Sequence, residues 1–231
     1  MEELHAEQVA FITGPDSMEM CGLEFCGNAS RSFGLMLAEE LSTDGSVRIP
    51  VKVSGADSML EVEADPATGW AEVSMPLHRS LTHYELVLDK QNISGTLVDL
   101  GGIMHLVLED TEPEDELFEV LRKDICDKYD PPAMGVMFMK DDKMYPVVYV
   151  RDVDTVYHEG SCASGTTAAA IAMTLGKPDG SFDGRHDYEV VQPAGKLNAS
   201  VEVRDGKIND VRIGGPVELS DIIMVEINMQ A

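Results

Sequence analysis

Apolar positions along this chain mostly recur at every second residue, in short runs cut by turns. Alternation of that kind marks half-buried strands. It predicts strands over 47–53, 59–64, 70–74, 84–88, 96–100 and 104–108, with turns at Ser54-Gly55, Asp65-Pro66 and Gly101-Gly102. Further strands are predicted over 135–139, 146–151, 188–192, 197–203, 211–214 and 222–227, with Asp205-Gly206 as a hairpin turn. Residues 7–13 read as a buried strand, and 18–25 as a short strand or loop. Three stretches carry helical spacing instead. The first places Phe33, Met36, Leu37 and Leu41 on one face and ends near 43–45. The second starts at Thr111-Glu112-Pro113, carries Leu117, Val120, Leu121 and Ile125, and stops before Pro131-Pro132. The third, 163–175, is apolar on nearly every side and reads as a buried helix stopped by Gly176 and Pro178.

The first and third helices open alike. Cys26-Gly27-Asn28-Ala29-Ser30-Arg31 leads into one, and Ser161-Cys162-Ala163-Ser164-Gly165-Thr166-Thr167 into the other. A thiol at a helix N-terminus sits among unpaired amides and the positive end of the dipole, which lowers its pKa and favours the thiolate. Two such sites, one in each half, predict a pair of thiols facing each other across a cleft. The predicted boundary falls just before residue 111, giving domains 1–110 and 111–215, with 216–231 returning to the first.

Composition narrows the class. A chain of 231 residues that is 44% apolar can bury a normal core. No run is long enough to cross a membrane, and the acidic start lacks a secretory signal. Four cysteines are too few for a disulfide scaffold, so a cytoplasmic, reduced protein is expected. The formal net charge of −25 disfavours nucleic acid and anionic membranes as partners; it mostly reflects solubility. No spacing suggests a metal site. Cys126 and Cys21 read as buried small hydrophobes and the fourteen methionines as core filler. His5, His78, His83, His158 and His186 read as surface or structural.

Four ordered segments resemble one family. Cys26-Gly27-Asn28-Ala29-Ser30-Arg31 is similar to the Cys-Gly-Asn-Gly-Ala-Arg signature of diaminopimelate epimerases, and Cys162-Ala163-Ser164-Gly165-Thr166 to their Cys-Gly-Thr-Gly signature. Pro193-Ala194-Gly195-Lys196-Leu197 resembles Pro-Gly-Gly-Lys-Leu, and Gly214-Gly215-Pro216-Val217-Glu218 resembles Thr-Gly-Pro-Ala-Glu. The resemblance implies an α+β fold of two similar α/β domains, each a curved, mostly antiparallel sheet around a central helix. It implies inversion of an amino-acid α-carbon by two cysteines, without pyridoxal phosphate, metal or other cofactor. Cys26 and Cys162 would alternate as thiolate base and thiol acid. Amides around Gly27, Asn28, Ala163, Ser164 and Gly165 would hold the substrate carboxylate and the enediolate that develops from it.

Other positions depart from the family pattern. The family's catalytic Glu precedes an Arg, whereas here Val150 precedes Arg151; Glu159, three positions before Cys162, is the candidate replacement. Arg151 is a candidate for substrate binding. His105, in a segment similar to Gly-Asn-Pro-His, is a candidate partner for Cys26. Ala133 stands where the family has an Asn. These changes touch the groups that would hold diaminopimelate's distal end, and Glu-x-x-Cys with Gly-Ile-x-His resembles a histidine racemase branch. Histidine is therefore the first expected substrate, with diaminopimelate the alternative. An amino-acid-binding or thiol-redox protein on the same scaffold is a further alternative. The partner is a small amino acid, with a homodimer left open. The resemblance also implies that roughly 40 residues of strand and helix, on typical domain anatomy, would precede this start.

Overall fold

The computed structural model describes residues 7–41, 45–88, 91–141, 143–176 and 182–224 of the 231. The first elements are β1 (Ala10–Gly14), β2 (Ser17–Met20), α1 (Gly27–Glu40), β3 (Val47–Val53), β4 (Leu60–Asp65) and β5 (Trp70–Ser74). A hairpin of β6 (Ser80–Leu88) and β7 (Gln91–Asp99) follows, then β8 (Met104–Leu108) and α2 (Asp115–Tyr129). Next come β9 (Ala133–Lys140), β10 (Lys143–Val150), β11 (Thr155–His158) and α3 (Ala163–Leu175). The last are β12 (Gly184–Gln192), β13 (Gly195–Arg204) and β14 (Lys207–Pro216).

The architecture is α+β and mostly sheet. One mixed sheet runs β1-β2-β3-β4-β5-β14-β13-β12-β10-β9-β8-β7-β6, with β11 paired to β10. Most pairs are antiparallel; β2–β3, β8–β9 and β10–β12 are parallel. The strand that closes the structure is β14, whose residues Arg212–Pro216 pair with β5. The strand expected over 222–227 is not seen in its described part, 222–224; the remainder lies outside the described residues. The division expected at residue 110 does not coincide with a break in the sheet, because β8 pairs in parallel with β9 across it.

Three helices pack on this sheet, α1 against β3, β4 and β5, α2 against β9, and α3 chiefly against β13, β8, β14 and β9. Eleven of the thirteen residues of α3 are buried. Its Ala168-Ala169-Ala170 run is what permits that: side chains of one carbon let strands approach closely on several sides, and a larger residue there would overpack by about 1–3 kcal/mol. Helix α1 buries Arg31, Gly34, Leu35 and Ala38, an i, i+3, i+4, i+7 stripe, while Leu41 is exposed. Of the face anticipated from the large apolar residues, Phe33 is buried and Met36 and Leu37 pack half-buried against the core, while Gly34 lets the helix approach Val62 of β4. A separate core lies where Phe118, Leu121 and Ile125 of α2 meet β8 and β9. Three positions expected to be buried are exposed. Strand β1 is a sheet edge with Phe11 and Ile12 facing outward, and Cys21 is on the surface.

Candidate active site

The two cysteines occupy matched backbone positions. Cys26 caps α1 with φ −128° and ψ 109°; Cys162 caps α3 with φ −121° and ψ 107°. Each sulfur accepts a hydrogen bond from the amide three residues on, Ala29 N at 3.4 Å and Gly165 N at 3.3 Å. Each cap carbonyl accepts a hydroxyl four residues on, Ser30 Oγ and Thr166 Oγ1, both at 2.7 Å. Cysteine thus does here what Ser or Asp does at ordinary N-caps. In the first turns, Gly27, Asn28, Ala163 and Ser164 keep amides with no intrahelical acceptor. The helix ends meet closely: a Cβ on Gly27 would lie 2.9 Å from Ala163 Cβ.

Both cysteines line one cavity, together with Gly27, Asn28, Ala163 and Ser164. A chain of hydrogen bonds ties its two walls. Arg31 Nη1 donates to the carbonyls of Gly215 (2.9 Å) and Pro216 (3.2 Å), and its Nε donates to Asn28 Oδ1 (3.1 Å). Asn28 Nδ2 in turn donates to Ser161 O at 2.9 Å, the residue before Cys162. On the other side Gln192 Oε1 accepts from Cys162 N at 2.7 Å, and its Nε2 donates to Thr166 Oγ1 at 3.0 Å.

The sulfurs have different neighbours. The Cys26 thiol donates to Gln8 Oε1 at 2.7 Å. The Cys162 sulfur lies 3.5 Å from Ser164 Oγ, and Glu159 stands on the same cavity wall, close enough to act on the thiol. His105 Nε2 is 2.8 Å from that same hydroxyl. His105 therefore partners Ser164 beneath Cys162, and the expected pairing with Cys26 is not formed.

Burial overturns the expectation of lowered thiol pKa values. It pushes Cys26 up to about 12, against the lowering effect of the Ala29 amide. Burial and then the Glu159 charge push Cys162 well up too. Helix-end amides favour a thiolate, but each group loses more hydration than two or three amides replace. Both cysteines are held as neutral thiols. Burial, with the charges of Glu7 and Glu24, raises Glu159 to about 7 in spite of the lowering effect of the Cys162 thiol. Burial holds His105 neutral, lowered to about 3.

Of the residues singled out from sequence, Cys26, Cys162, Glu159, Gly27, Asn28, Ala163 and Ser164 come together on the cavity wall. Gly165 lies just behind it, its amide directed at Cys162 Sγ. Arg151 does not join them: it pairs with Asp130 at 2.8 Å, away from the cavity. Gln8, Glu24, Arg31 and Gln192 were not foreseen as site residues. Arg31 lay in the first cysteine segment, and its burial beside Asn28 was the available signal. Gln8, Glu24 and Gln192 reach the site only through chain packing.

Solved racemases and epimerases share this fold. A probable proline racemase of Agrobacterium radiobacter superposes with a TM-score of 0.62 at 12% identity, over 94% of this chain and 76% of that one. A hydroxyproline epimerase of Agrobacterium vitis gives 0.57 at 12% identity, over 81% and 62%. The sequence is more specific. Residues 1–222 match the family model for the histidine racemase CntK N-terminal domain. The histidine racemase of Fusobacterium nucleatum is 35% identical over 227 residues, covering 94% of this chain and 80% of that protein. The chain belongs to the histidine racemase family.

Proposed function

We propose that this chain racemises histidine by a two-thiol proton transfer. The observation that carries the reading is geometric: two cysteines at matched helix N-termini open on one cavity, with Glu159 on its wall. The substrate carboxylate lies against the free first-turn amides of α1 and α3, which stabilise the enediolate formed when the α-proton leaves. One cysteine, as thiolate, takes that proton: the Cα–H bond breaks and an S–H bond forms. The other thiol delivers its own proton to the opposite face. The product has the opposite hand, and the two sulfurs have exchanged roles.

Glu159 supplies the missing ionisation. Its raised pKa makes it a base matched to neutral pH, and its place beside Cys162 gives the path by which the thiol proton leaves. Ser164, backed by neutral His105, then donates to the sulfur. His105 acts through Ser164, as a positioning residue. Diaminopimelate fits less well, since no lysine or arginine lines this cavity or its extension among the described residues. Its distal carboxylate would go unpaired.

The finer architecture follows the same reading. We take α1 with its strands and α3 with its strands as two related lobes of a diaminopimelate epimerase-like fold, supported by the matched caps. The exposed apolar edge at Phe11 and Ile12 supports a homodimer, which light scattering tests. The deciding experiment is chiral chromatography of L-histidine incubated with reduced protein in deuterated water. Inversion with α-deuterium is expected. Inversion of diaminopimelate alone would replace the substrate, and binding without exchange would leave an amino-acid-binding protein.

A further inference from the structure

The cysteine cavity continues into a second one, and the two share Gln8, Glu24, Val148, Val150 and Glu159. Two residues that line the second cavity, Glu24 and Thr155, each carry a buried polar atom with no hydrogen-bond partner among the described residues, Oε2 and Oγ1. Buried polar atoms are nearly always paired, so two orphans on one cavity point to a ligand.

The loop before Cys26 is shaped around Glu24. Leu23 holds φ at 60°, a left-handed conformation that a bulky residue rarely adopts. Ser54 Oγ donates to the Glu24 carbonyl at 2.9 Å and accepts from Met20 N at 2.8 Å. A Cβ on residue 22 would lie 2.7 Å from Glu24 Oε2, so Gly22 leaves the room that the carboxylate occupies. The other two acids of this cavity are engaged, Glu159 with Cys162 and Glu7 with the Gly160 amide at 3.1 Å. Glu24 is the carboxylate left with an open oxygen.

A neutral imidazole has one N–H donor and one bare nitrogen acceptor. A carboxylate suits the first and a hydroxyl the second, while Val150, Val153 and Tyr157 offer an apolar surround for the ring. We infer that the second cavity receives the substrate's imidazole, Glu24 accepting its N–H and Thr155 donating to its other nitrogen. This rests on the histidine reading above and names the groups that select the side chain.

Titration calorimetry with L-histidine on wild type, E24Q, E24A and T155V, beside steady-state inversion rates, tests it. Loss of a hydrogen bond to a buried charge predicts a ~10- to 100-fold rise in Kd for E24A, with the loss falling mainly on KM rather than kcat. T155V is expected to lose ~3- to 10-fold, the range for a neutral hydrogen bond. Unchanged Kd in folded E24Q and E24A, or a loss confined to kcat, overturns the assignment. Wild-type binding of histidine without inversion overturns the racemase reading and leaves the variant comparison to decide this one. No binding of histidine to wild type overturns both.

Discussion

Cys26 and Cys162 sit on almost superimposable backbone, yet they are not the same chemical site. Both cap a helix, both take an amide from three residues on, and both are nearly buried, at 9% and 5% exposure. Cys26 faces Gln8, an amide that cannot take its proton; Cys162 faces Glu159, a carboxyl poised near 7. Local sequence thus repeats the cap, and tertiary packing makes one cap ionisable and the other a holder of its proton. A two-base exchange needs one thiolate and one thiol, and only Cys162 has a neighbour able to take its proton.

Removing either sulfur breaks the comparison most. Cys26→Ser and Cys162→Ser are each expected to lower inversion ~10³-fold or more, within the range for losing a positioned acid or base, while circular dichroism stays native. Each should keep slow α-deuterium exchange on one enantiomer, with opposite hands for the two variants. Equal inversion in either variant and wild type would sink the two-thiol mechanism.

Glu159→Gln sharpens it next. A loss of ~10²-fold at pH 7 is expected, and the rise of rate with pH through about 7 should vanish. Both directions must fall together in kcat/KM, because free enantiomers have equal energy. Stability responds with the opposite sense. The folded state holds the Glu159 proton up to about 7, against an ordinary value of 4.5, so raising pH through that window favours unfolding. The cost is up to about 3 kcal/mol, and denaturant melts of wild type against E159Q between pH 5 and 8 should show it.

Arg31→Met tests the tie between the walls. It strips hydrogen bonds from Gly215, Pro216 and Asn28, and a stability loss of about 2 kcal/mol is expected, with weaker substrate binding. Cys126→Ser, at a partly buried thiol away from both caps, should change stability by less than about 1 kcal/mol and leave inversion intact.

Alternation made most strands legible, and the hairpin at Asp205-Gly206 joins β13 to β14 as read. Strand β11 was missed, since Thr155–His158 is short and mostly exposed. The edge strand β1 reads as buried from sequence because Val9, Phe11 and Ile12 look like core; side-chain type does not reveal whether a neighbouring strand arrives. Both cysteines and the cap residues were legible because each lies within one turn of its helix. Gln8 and Gln192 were not, since each meets its cysteine from another segment, and Glu24, two residues before Cys26, carries no signal in the local pattern.

The sequence alone determined two small-residue turns, each placing a thiol at a helix N-terminus, because capping is a contact between residues three apart. It could not determine the charge those thiols carry. That was decided by burial and by what packs beside each sulfur, an amide on one side and a raised carboxyl on the other. Desolvation depends on every segment that excludes water from the site, and only the folded chain brings those segments together.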